Sequence, residues 1–320
     1  SMNACVDRSI GWFTTVYPVV LHRETGLRET ILSTKETLRR IPSHGVCYGV
    51  YQYGEYNLVQ SNEPQIRFNY LGDIDNELQE KGMFHILNNF MGPSMAEDTP
   101  LDRPMVITGL VKEQRLYIEV QYDLGYISEH EMIEFTRLYQ DALEMVTEHC
   151  ISRNAVEYTA SDYDVFDLTQ EEFEQIRDSV EEDSIEKILS LTPMQTGILF
   201  YRMMDESSTE YVLQNAFRMQ GELREEFLCE SIQLLSLKYQ VLRMVMRYRL
   251  ISEPKQVVLK QRQIEINQVD FTMVAKEEQD AKVLELREED VNRGFDLEKD
   301  SLLRVTLIKL SETEYMFVMT

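Results

Sequence analysis

The feature that most limits what this chain can fold into is the stretch between Asp162 and Met203, where two helix starts flank an acidic run. Thr169 and Glu172 have the spacing of a capping box, in which each side chain takes up a free backbone amide at a helix start. Leu168 and Phe173 stand where a hydrophobic staple would close that helix. Glu181, Glu182 and Asp183 form a run with no apolar residue, so it is expected to be solvated and to connect rather than pack. A second start follows: Thr192 as cap, Pro193 at the first helical position and Gln195 completing another box. Met194, Ile198 and Tyr201, with Leu199 beside them, predict its apolar face. A domain is therefore expected to finish before this stretch and another to begin after it.

Length agrees, since 320 residues are a prior for two ordinary domains, and 43% hydrophobic residues suffice for real cores. The net charge of -24 argues against nucleic-acid or anionic-membrane partners, both of which reward Lys and Arg; its plainer meaning is solubility. No apolar run is long enough to span a bilayer. The four cysteines are scattered without metal or disulfide-framework spacing, so no metal is expected and the cytoplasm is the expected compartment. None of the five histidines stands in a metal-like or nucleophile-like constellation, and a surface or loop role is expected for them, His44 included.

In the first half, Arg8 to Leu21 is rich in aromatic and β-branched residues and predicts a strand ended by Pro18. Leu27, Ile31, Leu38 and Ile41 recur at helical spacing until Pro42. Pro42 to Val50 reads as a loop with glycines at tight turns. Gln65 to Leu71 alternates as a strand, and Met105 to Val111 with Arg115 to Tyr122 predicts a hairpin. Ser128 with Glu131 caps a helix whose buried face is Met132, Phe135, Tyr139, Ala142, Leu143 and Val146. This order suggests an α+β layer.

Three segments carry a resemblance: Ile10 to Thr14 running on to Tyr17-Pro18, then Pro42-Ser43-His44-Gly45-Val46-Cys47-Tyr48-Gly49, then Phe68-Asn69-Tyr70-Leu71-Gly72. In order and spacing they resemble the end of epimerization domains of nonribosomal peptide synthetases, over roughly residues 6 to 160. Trp12-Phe13-Thr14 favours epimerization over the related condensation domains. Cys47 departs from the family's usual glycine, which puts the loop's geometry in question. The resemblance implies inversion of an α-carbon on a thioester held by a carrier protein's phosphopantetheine arm, which needs a base, an acid and help for an enolate-like intermediate. Asn69 and Tyr70 are then the catalytic candidates, and Trp12, Phe13, Thr14, Tyr17, Tyr48 and Gly49 line the site. The other reading of Asn69 and Tyr70 is an inward tyrosine with a polar partner in a sheet. The family's base belongs to a His-His-x-x-x-Asp-Gly motif, which this chain does not contain.

In the second half, Leu191 to Tyr201 resembles the opening helix of a condensation domain. Glu210 to Gln220 predicts a strand, and Arg224 to Lys238 a helix with Phe227, Ile232 and Leu235 in the core. Lys238 to Arg243 matches the family's Arg-His-Glu-x-Leu-Arg in part, with Tyr239 and Gln240 in place of His and Glu. The resemblance pairs Arg243 with the aspartate of the His-His motif, so here it lacks that partner; the other reading is a solvated arginine at a strand start. A charged helix over Ala275 to Arg293 and strands over Ser301 to Leu310 and Tyr315 to Val318 complete the half. The His-His motif is expected to begin about where the chain stops, at Thr320.

The expectation is thus an α+β protein of two chloramphenicol-acetyltransferase-like lobes, each a mixed or antiparallel sheet with helices packed on it. Residues 3–160 would be an epimerization C-terminal lobe, 161–188 an acidic helical linker and 189–320 a condensation N-terminal lobe. No cofactor is expected to bind directly, and the implied partners are carrier proteins bearing phosphopantetheine and neighbouring synthetase domains. A carrier-docking scaffold and two successive condensation domains are the alternatives. An intact acyltransferase using free coenzyme A is disfavoured by the missing His-His motif.

Overall fold

The computed structural model describes residues 14–54, 63–73, 99–154, 156–180 and 184–320. The chain divides into two compact units, Ser1–Val156 and Glu157–Thr320.

In the first unit, α1 (Leu27–Arg39) and α2 (Val46–Tyr53) precede a three-stranded sheet of β1 (Ile66–Asp73), β2 (Met105–Lys112) and β3 (Arg115–Tyr122). β1 pairs parallel to β2, and β2 forms the expected hairpin with β3. The hairpin's register closes at Lys112 opposite Arg115, with Glu113 and Gln114 both left-handed, as a two-residue primed turn requires. α3 (Glu129–Ser152) starts at the expected Ser128–Glu131 capping box. Met132 and Phe135 pack on Met105, Ile107 and Val120 of the hairpin. Tyr139, Leu143 and Val146 are half-buried along the same side, whereas Ala142 is exposed, contrary to expectation.

Two local readings are corrected here. Residues 14–21 form no strand, and the rest of that predicted strand lies outside the described residues. Pro18 carries no amide to pair, and Tyr17 lays its ring against Gly45 instead. The expected loop over Pro42 to Val50 is a 3-10 turn, Pro42–Gly45, running straight into α2. Gly45 is the tight point: its φ is 76°, and a Cβ there would lie 2.0 Å from the Tyr17 ring. Gly49 is a helical residue of α2. Cys47 is an exposed helix residue, so its side chain costs the backbone nothing.

In the second unit, α4 (Gln170–Asp178), β4 (Ile185–Ser190), α5 (Pro193–Met204), β5 (Asn215–Gln220), α6 (Glu225–Lys238), β6 (Met244–Arg247), β7 (Lys255–Leu259), β8 (Glu265–Asp270), α7 (Lys276–Arg293), β9 (Arg304–Lys309) and β10 (Glu314–Met319) form two sheets. One runs β5-β10-β9-β8, antiparallel except for the parallel β8–β9 pair; the other runs β4-β7-β6, all antiparallel. β9 is buried on both faces, which its near-continuous apolar run requires. Ile308 meets Val283 of α7, and Val305 meets Ile232 of α6, so a helix covers each face of the larger sheet.

The segment expected as a linker over 161–188 belongs to this unit. Leu168, Phe173 and Ile176 are fully buried with Ile188 of β4, Val245 of β6 and Val257 of β7. Its helix carries the capping box and staple read from the sequence, but those staple residues face a sheet rather than solvent. The acidic run at 181–183 lies outside the described residues. Four other core expectations change: Met194, Tyr201, Phe227 and Leu235 are exposed, while Leu199 and Ile232 are buried. The strand expected from Glu210 is confined to Asn215–Gln220.

Candidate functional site

In the first unit, the sequence-predicted residues that the structure describes lie on three segments: the stretch before α1, α2 and β1. Trp12 and Phe13 lie outside the described residues. Thr14 is exposed, Tyr17 is half-buried against Gly45, and Tyr48 and Gly49 lie half-buried on α2. Asn69 and Tyr70 are adjacent on β1, which forms the edge of its sheet. Successive strand residues face opposite sides, so the two do not converge on one centre from this strand alone. Tyr70 lays its ring beside Gly109 of β2, where a Cβ would stand 3.2 Å from it, and is 54% exposed. It is thus an outward tyrosine on an edge strand rather than an inward one. Past it the strand breaks register between Tyr70 and Asp73, at Gly72 with φ 83°.

The second unit holds two dense polar centres. The first surrounds Arg243, which follows α6 in a 3-10 turn and is only 5% exposed. Its guanidinium donates to Glu186 of β4 at 2.5 Å and to the carbonyls of Ser236 at 2.9 Å and Lys260 at 3.1 Å, and also to the carbonyl of Leu259. Arg243 is therefore neither solvated nor unpartnered. Glu186 also accepts from Gln240 at 2.6 Å. These hydrogen bonds, that from Arg243 foremost, hold the Glu186 carboxyl below the usual carboxylate range. A glutamate at 240 would set two carboxylates side by side, so Gln240 suits this pairing.

The second centre ties the end of β10 to α7. Arg304, 1% exposed, donates from Nε to Asp290 at 2.8 Å, from Nη2 to the Asp290 carbonyl at 2.8 Å and from Nη1 to the Gly294 carbonyl at 2.6 Å. Its guanidinium lies over the Phe295 ring at 4.1 Å. The other Asp290 oxygen accepts from the Thr320 hydroxyl, which in turn accepts from Gln214 at 3.1 Å. Arg287 completes the set by donating to Gln214 at 2.8 Å. The buried charge is paired and hydrogen-bonded throughout, as burial demands. Sequence reading placed Arg304 only within the strand over Ser301 to Leu310 and Asp290 only within a highly charged helix, with no role for either. Its signal was the isolated arginine beside an apolar strand.

These centres fix strand ends and offer no nucleophile or free base of their own. Among the described residues, no group of three or more His, Cys, Asp or Glu side chains is arranged to hold a metal. No helix among them is long and apolar enough to cross a membrane.

Comparison with known proteins bears on both units. Residues 185–320 match the family model described as Condensation domain. Bacitracin synthase 3 of Bacillus licheniformis is 30% identical over 319 residues, which cover 98% of this chain and 5% of the relative. One of the linear gramicidin synthase proteins of Brevibacillus parabrevis is 28% identical over 326 residues, covering 99% of this chain and 4% of the relative. The chain therefore contains condensation-domain sequence and is related to bacitracin and gramicidin synthase modules, of which it spans a small fraction. A solved structure, holo-AB3403, a four-domain nonribosomal peptide synthetase bound to AMP and glycine, is 17% identical with a TM-score of 0.39, over 44% of this chain and 10% of that one.

Proposed function

We propose that the chain is a junction of a modular nonribosomal peptide synthetase, the first unit being the C-terminal lobe of an epimerization domain and the second the N-terminal lobe of a condensation domain. Both lobes are read as chloramphenicol-acetyltransferase-like. The observation that carries this is the continuous likeness to bacitracin synthase 3, which runs through both units in order while the condensation match occupies 185–320. The epimerization assignment rests on the three ordered motifs, whose glycine turn at Gly45 and edge-strand tyrosine at Tyr70 have distinctive geometry.

In this reading the synthetase inverts the α-carbon of an aminoacyl or peptidyl thioester and passes it to amide formation in the cytoplasm. The thioester arrives on the phosphopantetheine arm of a carrier protein; neighbouring domains supply the rest of each site. Arg243 and Arg304 act as positioning residues, because each locks a strand end with its charge fully paired. Asn69 and Tyr70 act on the carrier-bound substrate only once the flanking structure closes over β1.

The test uses the multidomain synthetase that carries this segment, with its carrier loaded with an L-aminoacyl thioester. The D/L ratio of the released amino acid is read by chiral chromatography, and amide formation by mass spectrometry. Tyr70→Phe and Asn69→Ala are expected to lower the D fraction by about tenfold or more while leaving amide formation from a preformed D-substrate intact. An unchanged D/L ratio in both variants would overturn the epimerization assignment in favour of two condensation-type lobes.

A further inference from the structure

Helix α6 carries apolar residues on both of its faces. The inner face is fixed. Leu228 and Ile232 pack with Ile264 and Val305, the Gln233 side-chain amide exchanges hydrogen bonds with the Ile264 backbone at 2.9 and 3.0 Å, and the Ser236 hydroxyl donates to the Arg262 carbonyl. The helix therefore cannot roll to bury what lies on its other side. There Phe227, Leu234 and Leu237 are each more than half exposed, as is Val241 in the 3-10 turn Gln240–Arg243 just past the helix end.

A surface helix ordinarily turns a polar face outward. Phe227 and Leu234 stand seven residues apart, two helical turns, and so share one outward stripe. An apolar stripe rimmed by charge is the mark of an interaction surface. The charged side chains exposed along the helix are Arg224, Glu226, Glu230 and Lys238. Arg224 lies over its own Phe227 ring at 5.4 Å and Lys238 over its own Tyr239 ring at 5.4 Å. Neither Glu230 nor Lys238 has an ion-pair partner among the described residues.

The order of these residues is symmetric about Leu234. Phe227 and Val241 stand seven residues to either side of it, Glu230 and Lys238 four residues to either side. A second α6 laid antiparallel across Leu234 therefore sets leucine on leucine and Phe227 towards Val241. It also brings the Glu230 of each copy beside the Lys238 of the other, twice over. A parallel copy would set Glu230 on Glu230 and Lys238 on Lys238, and like charges at an interface are costly. Arg224 and Glu226 fall outside the antiparallel overlap.

We infer that the outer face of α6 is a homodimer contact, occupied by α6 of a second copy of this chain in antiparallel register about Leu234. Such a contact is isologous and closes at two copies. Packed helices lie about 8–10 Å apart, a distance that glutamate and lysine side chains on neighbouring stripes can bridge. The apolar stripe supplies the attraction, and the charges choose the orientation, since exposed ion pairs add little affinity of their own. One helix face is small for a specific interface, and the net charge of -24 repels like copies at long range. The dissociation constant is accordingly expected at about 10–100 µM.

The experiment is sedimentation velocity of the whole 320-residue chain, from about 5 to about 300 µM, at about 0.15 M salt to screen the net charge. A reductant is present because Cys47 and Cys150 are exposed. A monomer–dimer equilibrium is expected. Leu234→Glu should weaken it by about tenfold or more, whereas Met273→Glu, at a methionine 95% exposed elsewhere on the unit, should leave it unchanged. Glu230→Lys and Lys238→Glu should each weaken it by about tenfold, and the two together should restore it to within about threefold. All four positions are exposed, so the circular dichroism of the monomer should stay the same in every variant. Any of these results overturns the inference: a monomer throughout, assembly that runs on past two copies, a dimer that survives Leu234→Glu, equal weakening by Met273→Glu, or a double variant no better than the single ones.

Discussion

Arg243 shows what a single residue can and cannot disclose before its surroundings are known. Its place after Leu242 marked it as structural, but its partner was looked for in a motif that the chain does not contain. The actual partner, Glu186, lies 57 residues away and becomes adjacent only through the pairing of β4 with β7. No local pattern encodes that register. Losing the guanidinium strips donors from the carbonyls of Ser236, Leu259 and Lys260 together, while the partly exposed Glu186 side chain can turn to water. Arg243→Gln is therefore expected to cost the second unit about 2–4 kcal/mol in urea unfolding. Arg243→Lys should fall in between, since one ammonium cannot serve the same spread of acceptors. A loss below about 0.5 kcal/mol in the glutamine variant would mark Arg243 as a surface residue after all. Asn69 and Tyr70 carry a different lesson: the strand that holds them was legible, but which face of it each side chain takes depends on a register that sequence alone does not fix.

Helix caps whose two residues lie three apart were read correctly, whereas the burial of helix faces was not, since that depends on distant partners. The capping boxes at Ser128, Thr169 and Thr192 all form, because a side chain and an amide three residues apart need nothing else. Residues 14–17 of the strand expected before Pro18 are not extended into a sheet, and the apolar face expected on α5 holds only at Leu199 and Ile198, with Met194 and Tyr201 exposed, because both readings need a neighbour that the local sequence does not specify. α4 joins both kinds of signal. Glu172 closes its box on the Thr169 amide at 2.9 Å, and its other oxygen accepts from the Ser252 amide at 2.7 Å, beyond the end of β6. Those hydrogen bonds, to Thr169 first and Ser252 next, pull its pKa down to about 2. A depressed carboxylate contributes stability that is complete above its unfolded value, about 4.3, and is lost as pH falls towards the folded one. The second unit should thus weaken as pH drops from about 4.5 to about 2, beyond the general effect of its other acids. Glu172→Gln should flatten that part of the profile and lower stability at neutral pH. Parallel acid-unfolding curves, with and without the substitution, would show no Glu172 contribution.

At the scale of the whole molecule, the end of the first unit was legible but the place of the segment that follows it was not. The first lobe was expected to end at residue 160 and packing ends it at Val156, but the 161–188 segment expected as a separate linker packs into the second unit. A solvated charge run and a helix with one buried stripe look alike when the stripe is only Leu168, Phe173 and Ile176. The distinction has a consequence that limited dissection can read. A fragment of residues 157–320 keeps α4, β4 and the Lys255–Asp167 ion pair at 2.5 Å, which seats a fully buried lysine. A fragment of 189–320 loses all three, strips β7 of one neighbour and exposes Val257. Three fully buried apolar side chains alone represent roughly 5–8 kcal/mol of burial, comparable to the whole stability of a domain this size. The longer fragment is expected to melt cooperatively and resist trypsin. The shorter one is expected to be largely unfolded by circular dichroism and degraded within minutes, because without Asp167 the Lys255 ammonium keeps only the long contacts to Ser190 at 3.5 Å and Glu253 at 3.9 Å and cannot remain buried. A stable, cooperative 189–320 fragment would restore the segment before it to the role of a connector.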